Sequence, residues 1–280
     1  MIRLEKPQMD LQTILDNCTS NMNEPRKSRI ENVAQTIITE SQSYDSLAES
    51  GQLYTIRKHN TVDSIATKED MEALYTQKFV PAGQPNREYY DKIKLLAPHN
   101  KCPYCGQNIV KTLDHYLPKS KYVTFTVTPY NLVPSCSDCN TLKLSSTFNE
   151  YSEQPFHPYY DNFDDEIWLK ATLIEEIPIA FYFYADPPCI WDETKRTRVI
   201  NNFTRLKLND IYKIHASELY QTRFKRIKSL FDTGGKSLAL SRLEEFEEDE
   251  RSLRNNTWKA AMYNAIINSD WYWDTYLTSL

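Results

Sequence analysis

The stretch CPYCGQNIVKTLDHYLPKSKYVTFTVTPYNLVPSCSDCNTLK, residues 102–143, decides how the chain folds and which chemistry it can carry. It begins with one Cys-x-x-Cys pair, Cys102 and Cys105, and a second pair, Cys136 and Cys139, lies near its end. Each pair can form a knuckle whose two thiolates face one ion, and two knuckles complete a closed tetrahedral shell. The spacing therefore predicts a structural Zn²⁺ site, which has no open coordination position for catalysis.

The spacing of the four cysteines is less typical of sites that do not bind zinc. Ordinary buried cysteines are not expected to form two Cys-x-x-Cys pairs around a polar, loop-rich segment. A redox site of the thioredoxin type needs a βαβ pattern around a pair, and neither pair has one. An iron–sulfur cluster also takes four thiolates and is the remaining alternative. Gly106 follows the first pair, where a tight turn favours a residue that tolerates positive φ.

Polar side chains suited to hydrolysis lie between and just after the two pairs. Asp114 and His115 are adjacent, and Asn140 directly follows the last cysteine. Hydrolysis of a phosphodiester needs a base that accepts a proton from water and a cation that neutralises charge on the phosphate. The imidazole of His115 suits the base, because its unperturbed pKa lies near neutrality. Asp114 and Asn140 offer the oxygen ligands that Mg²⁺ or Mn²⁺ prefers.

The motifs C-x-x-C, D-H-x-x-P, N-L and C-x-x-C-N-x-x-K occur in this order within residues 102–143. Together they resemble the HNH (ββα-metal) endonuclease family. The resemblance implies that His115 is the general base and that Asp114 and Asn140 are ligands of the catalytic metal. It also implies that Asn131 holds the loop and orients His115. The last letter of the family's name denotes a histidine, and this chain has Asn140 there, a departure that is common in the family.

Four further side chains close to these motifs are predicted to contact substrate. They are Lys119, Lys121, Lys143 and His157. Residues 101–143 contain five Lys and two Asp, a net charge of 5 − 2 = +3, which favours contacts with phosphate. A solvated surface position accounts for each lysine equally well. The imidazole of His157 could instead anchor the turn before Pro158.

The flanking sequence is mostly helical in its periodicity. Residues 67–80 begin with a Thr-x-x-Asp capping pattern and predict one helix, and residues 86–97 predict another. Residues 167–175 and 177–184 are rich in β-branched and aromatic residues and predict a strand pair. Helical periodicity then continues to the end of the chain. One predicted buried helix face consists of Ile211, Ile214, His215, Leu219 and Tyr220.

Two patterns in the C-terminal part bear on binding. Residues 195–228 contain ten Lys or Arg and two acids, a net charge of 10 − 2 = +8. A nucleic-acid track is one hypothesis, and a solvated helix face or a contact for an acidic partner fits the charge equally well. Residues 232–237, DTGGKS, resemble the end of a phosphate-binding loop, but Leu230 stands where its first glycine must be. We therefore predict a turn between helices there and no ATP hydrolysis by this chain.

These patterns predict an α+β fold that is mostly helical, with an embedded zinc-stapled ββα-metal module. We predict three regions. The first, residues 1–98, is helical, and the second, residues 99–165, is the nuclease module with its four cysteines. The third, residues 166–280, is the strand pair followed by helices.

Composition narrows the choice of function. The net charge of −5 argues against a nonspecific coat for nucleic acid but allows a local basic site. No apolar run approaches the roughly 18 residues that a membrane helix needs. The N-terminus lacks the apolar core of a secretory signal. We therefore expect a cytoplasmic protein that does not associate with membranes.

The sequence favours an endonuclease that hydrolyses DNA, with RNA as an alternative substrate, using structural Zn²⁺ and catalytic Mg²⁺ or Mn²⁺. The general layout resembles the HNH proteins of bacterial anti-phage systems, of which the Septu type is the nearest. That resemblance implies a partner ATPase of the ABC or SMC kind. A non-catalytic zinc module that binds nucleic acid or protein is the alternative, although such a module has no need of Asp114 beside His115. A restriction or homing enzyme ranks lower, because no base-reading element such as a helix-turn-helix is evident.

Overall fold

Helices dominate the computed structural model, which describes residues 1–143 and 147–280, and three two-stranded antiparallel sheets complete that part of the chain. The predicted mostly helical α+β class is thereby confirmed. The chain divides into two units, Met1–Asp161 and Asn162–Leu280. The three-region division drawn from the sequence stays a prediction. No helix among the described residues is long and apolar enough to cross a membrane.

Helices build most of the first unit. They are α1 (Leu11–Thr19), α2 (Arg26–Glu49), α3 (Lys68–Ala73) and α4 (Arg87–Leu95). A short hairpin, β1 (Thr61–Val62) and β2 (Ala66–Thr67), precedes α3. The hydrophobic core of this unit combines the four helices with buried residues of the motif segment, residues 102–143. Its contributors from that motif are Leu113, Val123, Val127 and Leu132.

The helix predicted over residues 67–80 changes geometry halfway. Thr67 and Asp70 form the predicted capping box, since each side chain accepts a hydrogen bond from the other's backbone N–H. After α3 the chain continues as a π-helix, Leu74–Phe79, in which the Val80 N–H donates to the Tyr75 carbonyl oxygen five residues earlier. A π-helix of this kind often marks a functional site.

The motif segment, residues 102–143, contains two strands and a helix. Strands β3 (Thr112–His115) and β4 (Leu132–Ser135) pair antiparallel, with His115 opposite Leu132. The helix α5 (Ser137–Lys143) follows β4 after one residue, Cys136. The motif thus has the predicted ββα order, and the long loop 116–131 joins its strands.

The second unit contains the predicted strand pair, β5 (Leu169–Ile174) and β6 (Ala180–Ala185). Helices α6 (Glu193–Arg205), α7 (Leu208–Leu253) and α8 (Trp258–Ile267) complete it. Helix α7 is broken at Gly235, whose φ of 70° and ψ of −170° are not helical. This break confirms the predicted turn between helices, because positive φ there favours glycine.

The predicted inner face of α7 is partly wrong. Ile214 is 57% exposed, and the buried stripe instead includes Tyr212, Ala216 and Tyr220. These three residues recur every four positions, which keeps them on one side of the helix. The prediction favoured the large isoleucine over the small Ala216, whose methyl group allows close packing.

Candidate active site

The four cysteines of the two pairs converge in the structure. All four are buried, and their Sγ atoms lie within 4.8 Å of one another. Such a cluster of thiols could hold a zinc ion, as the spacing predicted. The structure therefore fits the closed sulfur site that we inferred from the sequence.

Local backbone geometry shapes each knuckle. Gly106 has a φ of 69°, and its N–H donates to the Cys102 carbonyl oxygen at 2.7 Å. The Asn108 N–H points to the Cys105 Sγ, and the Cys139 N–H points to the Cys136 Sγ, both at 3.4 Å. N–H groups directed at sulfur stabilise thiolates, which are the form that binds metal.

A pocket of about 460 Å³ opens where β3 ends. It brings together four of the predicted site residues: Asp114, His115, Lys119 and Asn140. The remaining lining comes from Tyr75, Thr112, Leu113, Pro118, Ser120 and Thr141. Asn131, Lys121, Lys143 and His157 are not part of this lining, so each can act on the pocket only through other residues or beyond its rim.

His115 is held in one tautomer. Its Nε2 lies 2.9 Å from the Thr126 carbonyl oxygen, which can only accept a hydrogen bond. Nε2 must therefore carry the hydrogen, and the neutral ring keeps its lone pair on Nδ1. Burial lowers the pKa of His115 to about 4, against the hydrogen bond to Thr126, which raises it. The Tyr75 ring packs edge-on against the imidazole with centroids 4.5 Å apart.

Asn131 is fully buried, and its side-chain amide both accepts and donates hydrogen bonds. Its Oδ1 accepts from the Leu117 N–H at 2.7 Å, and its Nδ2 donates to the carbonyl oxygens of Leu117 and Phe125 at 3.0 Å. Leu117 follows His115 by two residues, and Phe125 precedes Thr126. The amide thus ties together the two chain segments that hold the imidazole.

Asp114 is buried at 3% exposure and has two hydrogen-bonding partners on Oδ2. The Tyr104 hydroxyl donates to that oxygen at 2.9 Å, and the Lys143 ammonium lies 2.9 Å from it. Neither of these two contacts involves Oδ1. Burial and the nearby carboxylate raise the pKa of Tyr104 well above its usual range, so its hydroxyl stays protonated.

Lys143 lies inside the protein at 2% exposure. Its ammonium also donates to the carbonyl oxygens of His115 and Tyr116 at 3.0 and 2.8 Å. These contacts tie the ammonium to the end of β3, which carries Asp114 and His115, and to the residue that follows the strand. The placement favours a structural role over the predicted contact with phosphate.

The other predicted substrate contacts are placed differently. Lys119 lies at the pocket with its ammonium 5.2 Å from the centre of the Tyr75 ring, and Lys121 is half-buried outside the lining. His157 is 3% exposed, and its Nε2 lies 3.1 Å from the Tyr44 hydroxyl. That hydroxyl also donates to the Asn131 Oδ1 at 3.2 Å, so His157 is linked to the loop 116–131 through Tyr44.

Sequence analysis missed three tyrosines that surround the site: Tyr44, Tyr75 and Tyr104. Tyr104 lies within the first Cys-x-x-Cys pair, which is a signal that could have been used. Tyr75 lies within residues 67–80, which the sequence predicted only as a helix. Tyr44 is 87 residues from Asn131 and has no local signal.

In the basic region, residues 195–228, part of the charge is already compensated. The Lys195 ammonium lies 2.7 Å from Asp165, and the Lys213 ammonium lies 2.7 Å from Asp210. Arg198 is buried at 1% exposure. A nucleic-acid track along this region stays a prediction.

Comparison with known proteins agrees with this geometry. The family model for HNH endonuclease matches residues 102–145. The chain is 29% identical to protein ea31 of Escherichia phage lambda, over 96% of this chain and 98% of that protein. It is also 32% identical to the Septu protein PtuB of Bacillus thuringiensis, over 32% of this chain and 37% of that protein. No solved structure gives a significant match. The chain therefore contains an HNH endonuclease domain at residues 102–145.

Proposed function

We propose that this protein is a metal-dependent endonuclease that hydrolyses phosphodiester bonds of DNA, with His115 as the general base. The observation that carries the proposal is the hydrogen bond from His115 Nε2 to the Thr126 carbonyl oxygen. It leaves Nδ1 as the acceptor in a pocket that Asp114 and Asn140 also line. A base beside two oxygen donors is the arrangement that phosphodiester hydrolysis needs.

In the proposed reaction His115 accepts a proton at Nδ1 from a water molecule. The water oxygen forms a bond to phosphorus as the bond from phosphorus to the leaving sugar oxygen breaks. The Thr126 carbonyl oxygen then stabilises the imidazolium, since it accepts from the Nε2–H, and the Asp114 carboxylate adds attraction. Asn131 keeps the imidazole in place because its amide holds the segments on both sides.

Asp114 and Asn140 are the residues that would hold Mg²⁺ or Mn²⁺. Oδ1 of Asp114 is the oxygen offered to a cation, because Tyr104 and Lys143 engage Oδ2. A neutral amide from Asn140 adds a second hard oxygen, and a sparse set of protein ligands is usual for Mg²⁺. When bound, the cation would neutralise charge on the phosphate and on the leaving oxygen.

Lys143 and Lys119 have different parts in the proposed site. Lys143 is a positioning residue that fixes the Asp114 carboxylate and the backbone of His115 and Tyr116. Lys119, at the pocket, is the lysine that we propose for contact with phosphate, and Lys121 could extend that contact along the substrate. The four-cysteine cluster would hold structural Zn²⁺ and keep α5 against the strands.

A role in anti-phage defence together with an ABC or SMC-type ATPase is proposed from the similarity to the Septu protein PtuB. That similarity covers about a third of each chain, whereas the similarity to the phage lambda protein covers nearly all of both. The nuclease proposal does not depend on the defence role. The ATPase is therefore tested as an added component in the cleavage assay.

A supercoiled plasmid, incubated with Mg²⁺, Mn²⁺ or EDTA, tests the proposed activity. We expect cutting by the native protein with Mg²⁺ or Mn²⁺ and none with EDTA. His115→Ala should cut far more slowly than the native protein, and His99→Ala, which removes an exposed imidazole, should retain activity. Absence of cutting by the native protein, both alone and with its ATPase partner, would favour the alternative of a non-catalytic zinc module. A gel-shift measurement on the same DNA would then detect that binding.

A further inference from the structure

A second pocket of the first unit, of about 290 Å³, is lined by cations that the proposed chemistry does not use. Arg26, Arg29 and Lys78 line it, together with Asn21, Gln77 and Glu24. The Lys78 ammonium donates to the carbonyl oxygen and to Oδ1 of Asn21 at 2.8 and 2.6 Å, which holds it at the pocket. Guanidinium, ammonium and amide groups are the donors that proteins direct at phosphate oxygens. We propose that this pocket binds a phosphate of the nucleic-acid backbone beyond the site of cleavage, an inference that rests on the proposed nuclease function.

A buried carboxylate fixes the two arginines in place. Asp70, with a side chain 2% exposed, accepts from Nε and Nη2 of Arg29 at 2.7 and 2.8 Å. Its Oδ1 also accepts from Nε of Arg26 at 3.1 Å. Among residues 1–143 and 147–280, the terminal nitrogens of Arg26 and the Nη1 of Arg29 have no hydrogen-bond partner. Both guanidiniums are about one-third exposed, so these nitrogens remain available to a ligand in a preorganised geometry.

The acidic groups beside the pocket are already engaged. Glu24 accepts from the N–H and the hydroxyl of Ser28, and these hydrogen bonds lower the pKa of its carboxyl group. Three cations stand against two carboxylates, Glu24 and Asp70, which leaves 3 − 2 = +1 at the pocket. The whole chain carries −5, so the pocket departs from the general charge of the protein. A single phosphodiester, with one negative charge, matches that excess.

The short distance between the second pocket and the active pocket favours a phosphate of nucleic acid over a free anion as the ligand. The π-helix Leu74–Phe79 contributes Tyr75 to the active pocket and Lys78 to the second pocket. These two residues are three positions apart, so at most roughly 11 Å separates their Cα atoms. Phosphates of one strand recur about every 3.4 Å along a duplex axis. A strand cleaved beside His115 could therefore reach the second pocket within a few nucleotides.

Binding of DNA oligonucleotides of two lengths tests the inference. The cleavage-deficient His115→Ala protein is compared with the same protein carrying Arg26→Gln and Lys78→Gln. A single strand of about 20 nucleotides spans both pockets, whereas a strand of about 2 nucleotides carries one phosphodiester and cannot occupy both pockets at once. The matched control is Lys92→Gln with Lys94→Gln, which removes the same charge from α4 outside both pockets. Arg26→Lys with Lys78→Arg retains the charge and separates its loss from a folding defect.

We expect Arg26→Gln with Lys78→Gln to weaken binding of the long strand roughly tenfold. The slope of log affinity against log salt should fall by about 2 in magnitude. The affinity of the same variant for the short strand should stay within about twofold of that of the parent protein. The matched control should bind both strands with affinities within about twofold of those of the parent. The charge-retaining variant should bind the long strand as the parent does.

Several outcomes overturn the inference. If the matched control weakens binding of the long strand as much as Arg26→Gln with Lys78→Gln does, the effect comes from the net charge of the protein and not from the pocket. If Arg26→Gln with Lys78→Gln leaves binding of the long strand unchanged, the pocket does not contact the substrate. An effect on inorganic phosphate alone would assign the pocket to a free anion. If the native protein cuts plasmid while any of these results is obtained, the nuclease proposal survives and this inference fails. If the native protein neither cuts nor binds nucleic acid, both fail.

Discussion

The four-cysteine cluster and the His115 pocket both draw residues from the segment 102–143 and share helix α5, yet their ligand atoms and their openness differ. The cluster has four buried sulfur atoms within 4.8 Å of one another. The pocket presents oxygen and nitrogen donors around about 460 Å³ of open space. Soft, closed ligand sets favour structural zinc, and hard, open sets favour catalytic Mg²⁺ or Mn²⁺. The two sites therefore suit different ions, and in the proposed function the cluster serves stability and the pocket serves catalysis.

Helix α5 couples the two sites. Cys139 belongs to the cluster, and the next residue, Asn140, lines the pocket. Lys143, at the end of the same helix, reaches Asp114 and the backbone of His115. Damage to the cluster should therefore disturb the pocket, whereas damage to the pocket should leave the cluster intact. Substitutions in the two sites can reveal this asymmetry.

Loss of one sulfur ligand should have the largest effect. Cys136→Ser removes a quarter of the shell, and binding of structural zinc contributes on the order of 10 kcal/mol to folding in small zinc modules. We expect loss of bound zinc, a lower thermal unfolding midpoint and no cleavage. Zinc content and circular dichroism measure the first two, with Cys189→Ser, an exposed cysteine outside the cluster, as the control. A stable, active and zinc-free Cys136→Ser protein would contradict the role of the cluster.

Loss of the base should separate activity from stability. We expect His115→Ala to lower the cleavage rate by roughly 10²- to 10⁴-fold, because proton transfer from water is no longer assisted. Zinc content should match the native protein, since the imidazole does not belong to the cluster. Metal analysis and the plasmid assay, run on the same sample, check both statements. Zinc loss in this variant would show that the two sites are not separable.

Lys143→Met removes the ion pair between α5 and Asp114 and should lower both stability and cleavage. Removal of the ammonium leaves the buried Asp114 carboxylate without its cation, a change that costs about 3–5 kcal/mol in other proteins. Denaturant unfolding should detect this loss, and cleavage should fall because Asp114 is no longer oriented. Lys111→Met, at an exposed position of the same region, should change stability by less than about 0.5 kcal/mol. Equal effects of the two substitutions would argue against a buried role for Lys143.

The smallest expected effect is the dependence of the cleavage rate on pH. The imidazole accepts a proton only when neutral, and burial lowers the pKa of His115 to about 4 from the ordinary 6.5. Activity should therefore be lost as pH falls through about 4, and His115 should cause no change between about pH 6 and 8. A bound cation nearby would lower this pKa further and move the loss of activity to still lower pH, and the rate would still not change between about pH 6 and 8. A pH–rate profile with a limb near 6.5 that disappears in His115→Ala would contradict it.

The sequence predicted the parts of the site whose residues lie close together in the chain. The cysteine pairs, and Asp114 beside His115, carry their spacing within a few residues, so the motif alone predicted their convergence. The burial of Lys143 and its contact with Asp114 could not be predicted, because lysine side chains are exposed in most proteins. Tyr44 meets Asn131 across 87 residues, and only the packed fold brings them together. Ile214 was misplaced because helical periodicity leaves the buried face uncertain when small residues such as Ala216 belong to it.

Brief removal of loosely bound metal tests the separation of the two sites most directly. The protein is dialysed against EDTA, its zinc is measured, and plasmid cleavage is followed before and after addition of Mg²⁺ or Mn²⁺. Separate sites predict that zinc stays bound in the closed cluster while cleavage is lost, and that Mg²⁺ or Mn²⁺ restores cleavage without added zinc. Loss of zinc and cleavage together, with recovery only on addition of zinc, would contradict that separation.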